Sequence, residues 1–271
     1  MVILPSLTAI RFSGADAGDF LHNQLSSDVL ALSPDESTFA CYCEPKGRVL
    51  ALMLVSRNHD DYLVILSASL AVAIAKRMKI YVMRSKVDIE VLDGLSVVGI
   101  HSDNGIEAQP GQLAVVAIPN SSNSFLLTSD TGSVDSSETH QQEWKLAELR
   151  AGAVWLRPET SGQFLPQMLG FDQLGAVNYR KGCYPGQEIV ARTHYLGKVK
   201  RHPRLVCTSA TICPAPLDVI QLLSQDQSHK AVITDCVQRE GAGVCMFVVT
   251  RMDPEMVVDR LEYQGQEVGL A

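Results

Sequence analysis

Arg180-Lys181-Gly182-Cys183-Tyr184-Pro185-Gly186-Gln187-Glu188-Ile189-Val190-Ala191-Arg192 sets a cysteine between two glycines, behind two cations and ahead of a run with helical character. Gly182 and Gly186 permit backbone shapes that other residues avoid, and they let a ligand or partner approach closely. Arg180 and Lys181 favour a thiolate at Cys183. A helix with Pro185 in its first turn, running to Tyr195, would bring its positive end near the sulfur, so the thiol is expected to ionise below its ordinary value. Inert packing is the usual role of a free cysteine, and only this local company sets Cys183 apart. The other six, at 41, 43, 207, 213, 236 and 245, show no CxxC or Cys/His ligand spacing. Neither a disulfide framework nor a stable metal site is therefore expected.

Working outward, residues 180 to 204 hold seven Lys/Arg (180, 181, 192, 198, 200, 201, 204) and one acid, Glu188, a local charge of +6 in a chain whose formal net charge is −7. Positive potential is thereby concentrated beside Cys183, which suits an anionic ligand such as a glutamate tail, a phosphate or a short piece of RNA. The overall acidity argues against a protein that coats nucleic acid nonspecifically, and the basic segment lacks interleaved aromatics, so direct tRNA contact is disfavoured. Glu188 and Arg192 stand four apart, where they can form an ion pair of purely structural use.

The 271 residues suggest about two domains, and 46% hydrophobic with 20% charged residues is the composition of a globular protein rather than a disordered or coiled-coil one. The uncharged run Tyr62 to Ala75 falls short of the roughly 20 apolar residues that cross a bilayer. The opening Met1-Val2-Ile3-Leu4-Pro5 has no basic region ahead of it, so a cytoplasmic location is expected. Ile3 to Phe12 reads as a strand, followed by a turn and a helix carrying Phe20, Leu21 and Leu25. Runs at Ser37 to Cys43 and Arg48 to Val55 flank Glu44-Pro45-Lys46-Gly47 as a hairpin. Tyr62 to Leu66 is a short strand, Ala68 to Tyr81 a helix, and Lys86 to Leu92 and Leu95 to Ile100 are strand-like. Residues 121 to 142 turn polar and read as a surface connection, before a helix from Glu138 to Ala151. From Pro203 onward, short strand-like runs point to a small β-barrel or sandwich. The fold class expected is α+β followed by β. Trp144, in the helix, and Trp155, just after it, are ordinary core residues or else walls of a pocket for a flat heterocycle.

The octamer Lys181-Gly182-Cys183-Tyr184-Pro185-Gly186-Gln187-Glu188, with Arg192, Gly197 and Arg201 behind it, resembles the K-G-C-Y-x-G-Q-E signature of the YgfZ-type folate-binding proteins, relatives of the glycine-cleavage aminomethyltransferase. Ser13-Gly14-Ala15-Asp16, Phe20-Leu21-His22-Asn23-Gln24 with Asp28, Lys46-Gly47-Arg48-Val49 and Ser161 to Gln167 agree with the same family. The similarity covers residues 6 to 56 and 142 to 202. It implies a three-part GcvT-like fold around a central folate pocket: a split first domain (1–45 with 142–202), an inserted domain (46–141) and a C-terminal β-barrel (203–271). It also implies a cytoplasmic accessory protein that binds tetrahydrofolate or another folate and supports iron–sulfur protein assembly or repair, and through it tRNA thiolation by iron–sulfur enzymes. Cys183 would be the working thiol, with transient iron ligation, sulfur acceptance and thiol exchange all open to it. Trp144, Lys181 and Arg192 fall at folate-contact or thiol-flanking positions. Leu7 stands where a second family tryptophan is expected. The aminomethyltransferases carry an Asn-rich motif with an acid where this chain reads Tyr62 to Leu70, which has neither. One-carbon transfer is thus the alternative function, and direct tRNA binding a second alternative.

Overall fold

The computed structural model describes residues 1–101, 112–132, 134–197, 199–225, 227–239, 241 and 243–270. A five-stranded antiparallel sheet lies at its centre in the order β3-β4-β5-β2-β6, built from β2 (Leu7–Ser13), β3 (Ser37–Cys43), β4 (Val49–Asn58), β5 (Asp61–Ser67) and β6 (Asp88–Val91). Pro5, at the turn after β1 (Val2–Ile3), ends that strand, so the single strand expected over 3–12 is two. In β4 and β5 nearly every side chain is buried, on both faces, which is why they read as unbroken apolar runs rather than alternating ones. Helix α1 (Ala17–Gln24) and helix α2 (Ala68–Val82) share that core, α2 through Leu70, Ala71, Ile74, Ala75 and Met78, one stripe of a 3.6-residue period. The β3–β4 hairpin carries its ladder across residues 44–48, so the sheet joins residues on both sides of position 45.

A second antiparallel sheet runs β1-β7-β9-β8, with β7 (Ser96–His101), β8 (Gln112–Ala117) and β9 (Asn123–Thr128). This corrects the expectation of a surface connection over 121–142. Its Phe125-Leu126-Leu127 run is an inner strand, buried on both faces, and only the flanking Ser, Asn and Asp residues are turn. Helix α3 (Glu138–Arg150) follows, capped by Ser137, whose hydroxyl accepts from the His140 amide.

The C-terminal part is a six-stranded sheet, β10-β13-β12-β11-β14-β15, made of β10 (His202–Thr208), β11 (Val219–Ser224), β12 (Gln227–Arg239), β13 (Gly243–Thr250), β14 (Arg260–Tyr263) and β15 (Gln266–Val268). A bridge between Thr208 and Leu270 and a hydrogen bond from Ser209 N–H to the Gly269 carbonyl tie its two edges, so the sheet closes on itself. In β13 the period of two is explicit: Val244, Met246 and Val248 fill the barrel's own core, while Cys245, Phe247 and Val249 join the core under the central sheet. Cys207 lies opposite Cys245 in the β10–β13 register, and the two close as a disulfide, as do Cys213 and Cys236. The absence of disulfides expected from spacing is corrected here. Strand register, which spacing does not reveal, sets the first pair, and the second ties the segment before β11 to β12.

Strand β7 and α3 meet at Gly99, where a β-carbon would lie 2.8 Å from the ring of Trp144. Gly99→Ala is expected to push the indole off β7 and cost about 1–3 kcal/mol of stability, read as a shift in a urea unfolding midpoint with unchanged slope.

Candidate functional site

The Cys183 loop is braced from below by its own motif. Gly186 sits at φ 85° and caps helix α4 (Gln187–Tyr195). A β-carbon on it would come within 2.5 Å of the Glu44 carbonyl oxygen and 2.7 Å of the Gly47 Cα, so the loop lies directly on the β3–β4 turn. Two motifs more than a hundred residues apart in sequence thus form one contact. The helix begins after Pro185, so Cys183 lies in the loop ahead of it and is exposed. Lys181 is buried beneath it. Its ammonium donates to the Leu25 carbonyl at 2.6 Å and to the His22 carbonyl, and sits 5.2 Å from the centre of the Tyr184 ring. Burial pulls its pKa down to about 8. Gln187 Nε2 reaches back to the Lys181 carbonyl at 3.2 Å. Glu188 and Arg192 are exposed and form no ion pair with each other among the described residues. Gly182 is exposed next to the thiol, and Tyr184 is buried, which drives its hydroxyl well above the ordinary range.

Of the three free cysteines, Cys41 and Cys43 are buried, and burial lifts Cys41 to about 12 and Cys43 well above its ordinary value. Both stay protonated and sealed. Cys183 is left as the one accessible thiol.

The cavities lie elsewhere. One, of about 330 Å³, is lined by Pro5, Ser6, Ser67, Ala68, Ser69, Lys145, Glu148, Trp155, Arg157 and Asp235. A second, of about 370 Å³, is walled by Phe39, Phe125, Ala153 and Trp155, with Glu148, Asn120, Asn123 and Gln173 as its polar groups. Trp155 and Glu148 line both. Cys183, Lys181, Arg192 and Trp144 line neither. Trp144 instead packs against Phe125, ring centres 5.8 Å apart, and gives its N–H to Glu148.

Glu148 Oε1 accepts two indole N–H groups, from Trp144 at 3.0 Å and from Trp155 at 2.9 Å. Among the described residues no group donates to Oε2. Desolvation raises the carboxyl to about 7, opposed by the two indole bonds and by Lys145, and assisted by Asp235. Asp235 itself is buried and bridges Lys145 at 2.7 Å and Arg157 at 3.2 Å. It follows an irregularity in the β12–β13 register between Ile233 and Asp235, a bulge that turns its side chain off the barrel toward α3.

Of the two readings of Trp155, core residue or pocket wall, the structure has it both buried in the central core and lining the two cavities. Glu148, Lys145, Arg157 and Asp235 were missed. The available signal was the four-residue step from Trp144 to Glu148 on one helix, which faces the indole toward the carboxylate. Of the seven cations expected to form a basic patch, Lys181 is buried, Arg204 is held by the Asp253 and Pro254 carbonyls, and Lys198 lies outside the described residues.

No family model matches the chain. It is 25% identical over 281 residues to the tRNA-modifying protein YgfZ of Enterobacter sp. (strain 638), covering 94% of this chain and 86% of that one. An uncharacterized protein of Haemophilus influenzae is 28% identical over 202 residues, 74% of this chain and 70% of the relative. Among solved structures, the glycine cleavage system aminomethyltransferase T from Bartonella henselae superposes with a TM-score of 0.73 at 12% identity, over 99% of this chain and 83% of that one. The chain therefore shares the overall fold of that aminomethyltransferase. In sequence, the likeness is to proteins named YgfZ.

The folded carboxyl of Glu148 holds its proton up to about 7, against 4.5 ordinarily, so the folded chain binds more protons than the unfolded one between those values. Its contribution to stability therefore falls as pH rises through that window and is level above it. Glu148→Gln keeps an acceptor for both indoles but does not titrate. Its stability relative to the parent is expected to rise by up to about 3 kcal/mol from pH 4.5 to 7, measured by denaturant unfolding across pH.

Proposed function

We propose that the chain is a folate-binding accessory protein that supports iron–sulfur protein assembly or repair and, through those enzymes, tRNA modification, with Cys183 as its working thiol. The observation that carries this reading is the single accessible thiol, set in a loop whose Lys181, Tyr184, Gly186 and Gln187 are all spent on bracing it. The chain's likeness to proteins named for tRNA modification points the same way.

The smaller cavity offers what a folate needs. Trp155 is a flat wall, Glu148 Oε2 accepts from no group among the described residues and faces the N–H edge of a heterocycle, and Lys145 and Arg157, which share Asp235 between them, keep one positive charge in excess for the carboxylates of a glutamate tail. When bound, folate would supply a one-carbon carrier. The stretch aligned with the transferases' acid contributes only Ser67, Ala68 and Ser69 to this cavity, which favours binding over aminomethyl transfer. Direct tRNA binding is the weaker reading, because the basic segment has lost Lys181 and Arg204 to internal carbonyls.

Calorimetric titration with tetrahydrofolate is expected to show micromolar binding that Trp155→Ala weakens at least tenfold. Equal affinity of parent and variant would remove the cavity from the reading. Cys183→Ala is expected to keep that binding and the same melting temperature, yet fail to restore iron–sulfur enzyme activity in a strain lacking this protein. Full restoration would remove the thiol.

A further inference from the structure

Between Asp61 and Asp88 the chain carries no acid, yet five cations fall there, Lys76, Arg77, Lys79, Arg84 and Lys86, in a protein whose formal net charge is −7. Helix α2 spans most of that stretch. Its inner stripe is spent on the core. On the outer face Val72, Lys76, Lys79 and Met83 recur at steps of three or four residues, with Ile80 beside Lys79. The apolar members of this face are not hidden: Val72 and Ile80 are each 71% exposed, Tyr81 45% and Met83 89%. Met83 closes the helix at φ 46°, where glycine is the usual residue, and a large apolar side chain stands there in solvent.

Arg77 is turned inward beside Tyr42. Lys76, Lys79, Arg84 and Lys86 are exposed, and none of the four enters an ion pair among the described residues. Of the acids around Lys86, Glu90 is paired with Arg11, Asp16 accepts the Lys86 main-chain N–H, and Asp88 follows two residues on, so the excess is positive.

Lysines set among apolar side chains decide what can cover the face. A folded partner would have to bury Lys76 and Lys79 between Val72 and Met83 and match each with a carboxylate, at a desolvation cost that such pairs seldom recover. At the surface of a bilayer the same lysines lay their stems along the apolar residues and hold their ammonium groups among lipid phosphates, while Ile80, Met83 and the ring of Tyr81 enter the boundary of the acyl chains. The run from Val72 to Met83 gives a line of contact about 16 Å long.

We propose that the outer face of α2, continued by Tyr81, Met83, Arg84 and Lys86, binds the surface of a bilayer that carries anionic phospholipids. The attachment is peripheral, since no helix among the described residues is long and apolar enough to cross a membrane. Its electrostatic part is screened by salt. Neither the cavities at α3 nor Cys183 takes part, so the proposal stands apart from the folate and thiol readings.

The test is co-sedimentation of the full chain with vesicles of phosphatidylcholine alone or with about 30 mol % phosphatidylglycerol, at low and high salt. The parent is expected to bind only the anionic vesicles and to release them at high salt. Lys76→Glu with Lys79→Glu is expected to weaken binding at least tenfold, and Ile80→Ser with Met83→Ser to weaken it as well. Lys46→Glu with Lys200→Glu, the same charge change at exposed lysines outside α2, is expected to leave it within about twofold of the parent. A Tyr81→Trp variant is expected to shift its fluorescence to the blue on anionic vesicles. No binding, equal binding to both kinds of vesicle, or equal loss in the two lysine pairs would overturn the proposal. Failure on vesicles together with α2-dependent capture by immobilised poly-glutamate would overturn it in favour of an acidic polypeptide. Should Ile80→Ser with Met83→Ser not fold, the two lysine pairs decide.

Discussion

A carboxylate taken out of water must be met by donors, and where the barrel joins α3 this chain buries two. Asp235 is met by charge, from Lys145 on α3 and Arg157 beyond its end. Glu148 accepts, among the described residues, from neutral N–H groups alone, those of Trp144 and Trp155, with the Lys145 charge a lesser influence. Neutral donors offset part of the desolvation cost and leave the rest, which is why Glu148 is driven toward its protonated form. The geometry of the region follows from satisfying both acids. The bulge in β12 aims Asp235 at the cations. Gly99 lets Trp144 lie against β7, and Trp155 is fixed between Phe39 and Phe125 as the shared wall of two cavities.

The eight-residue signature separates into scaffold and chemistry once it is folded. Lys181 looks from sequence like a thiolate partner or a ligand for a glutamate tail. In the fold its ammonium is spent on two main-chain carbonyls at the end of α1, and its place near the thiol is a by-product of that bracing. Gly186 and Gln187 hold the loop against the β3–β4 turn and against itself. What is left exposed is Gly182, Cys183 and Glu188. A strong motif can therefore locate a site correctly while saying little about which of its residues touch a ligand.

Strong periodicity made α1, the β3–β4 hairpin, α2, α3 and four of the six barrel strands legible within a few residues. The parts that were not legible share a cause. Strand β9 is three apolar residues in a polar setting, and β14 and β15 are short, so their pairing comes from neighbours and not from local preference. The Cys207–Cys245 pair depends on register, and the cavity depends on side chains brought from α3, the segment after it and β12. Trp155 and Asp235 are 80 residues apart in sequence, and only the closed barrel brings them to one wall.

Strand β13 belongs to two cores at once, with Met246 and Val248 turned into the barrel and Phe247 and Val249 into the body of the protein. Losing the barrel would strip Val237, Cys245, Phe247 and Val249 from the central core. The boundary that connectivity draws near Pro203 is thus not one of cooperativity. The stability of the barrel is coupled to that of the central core through β13.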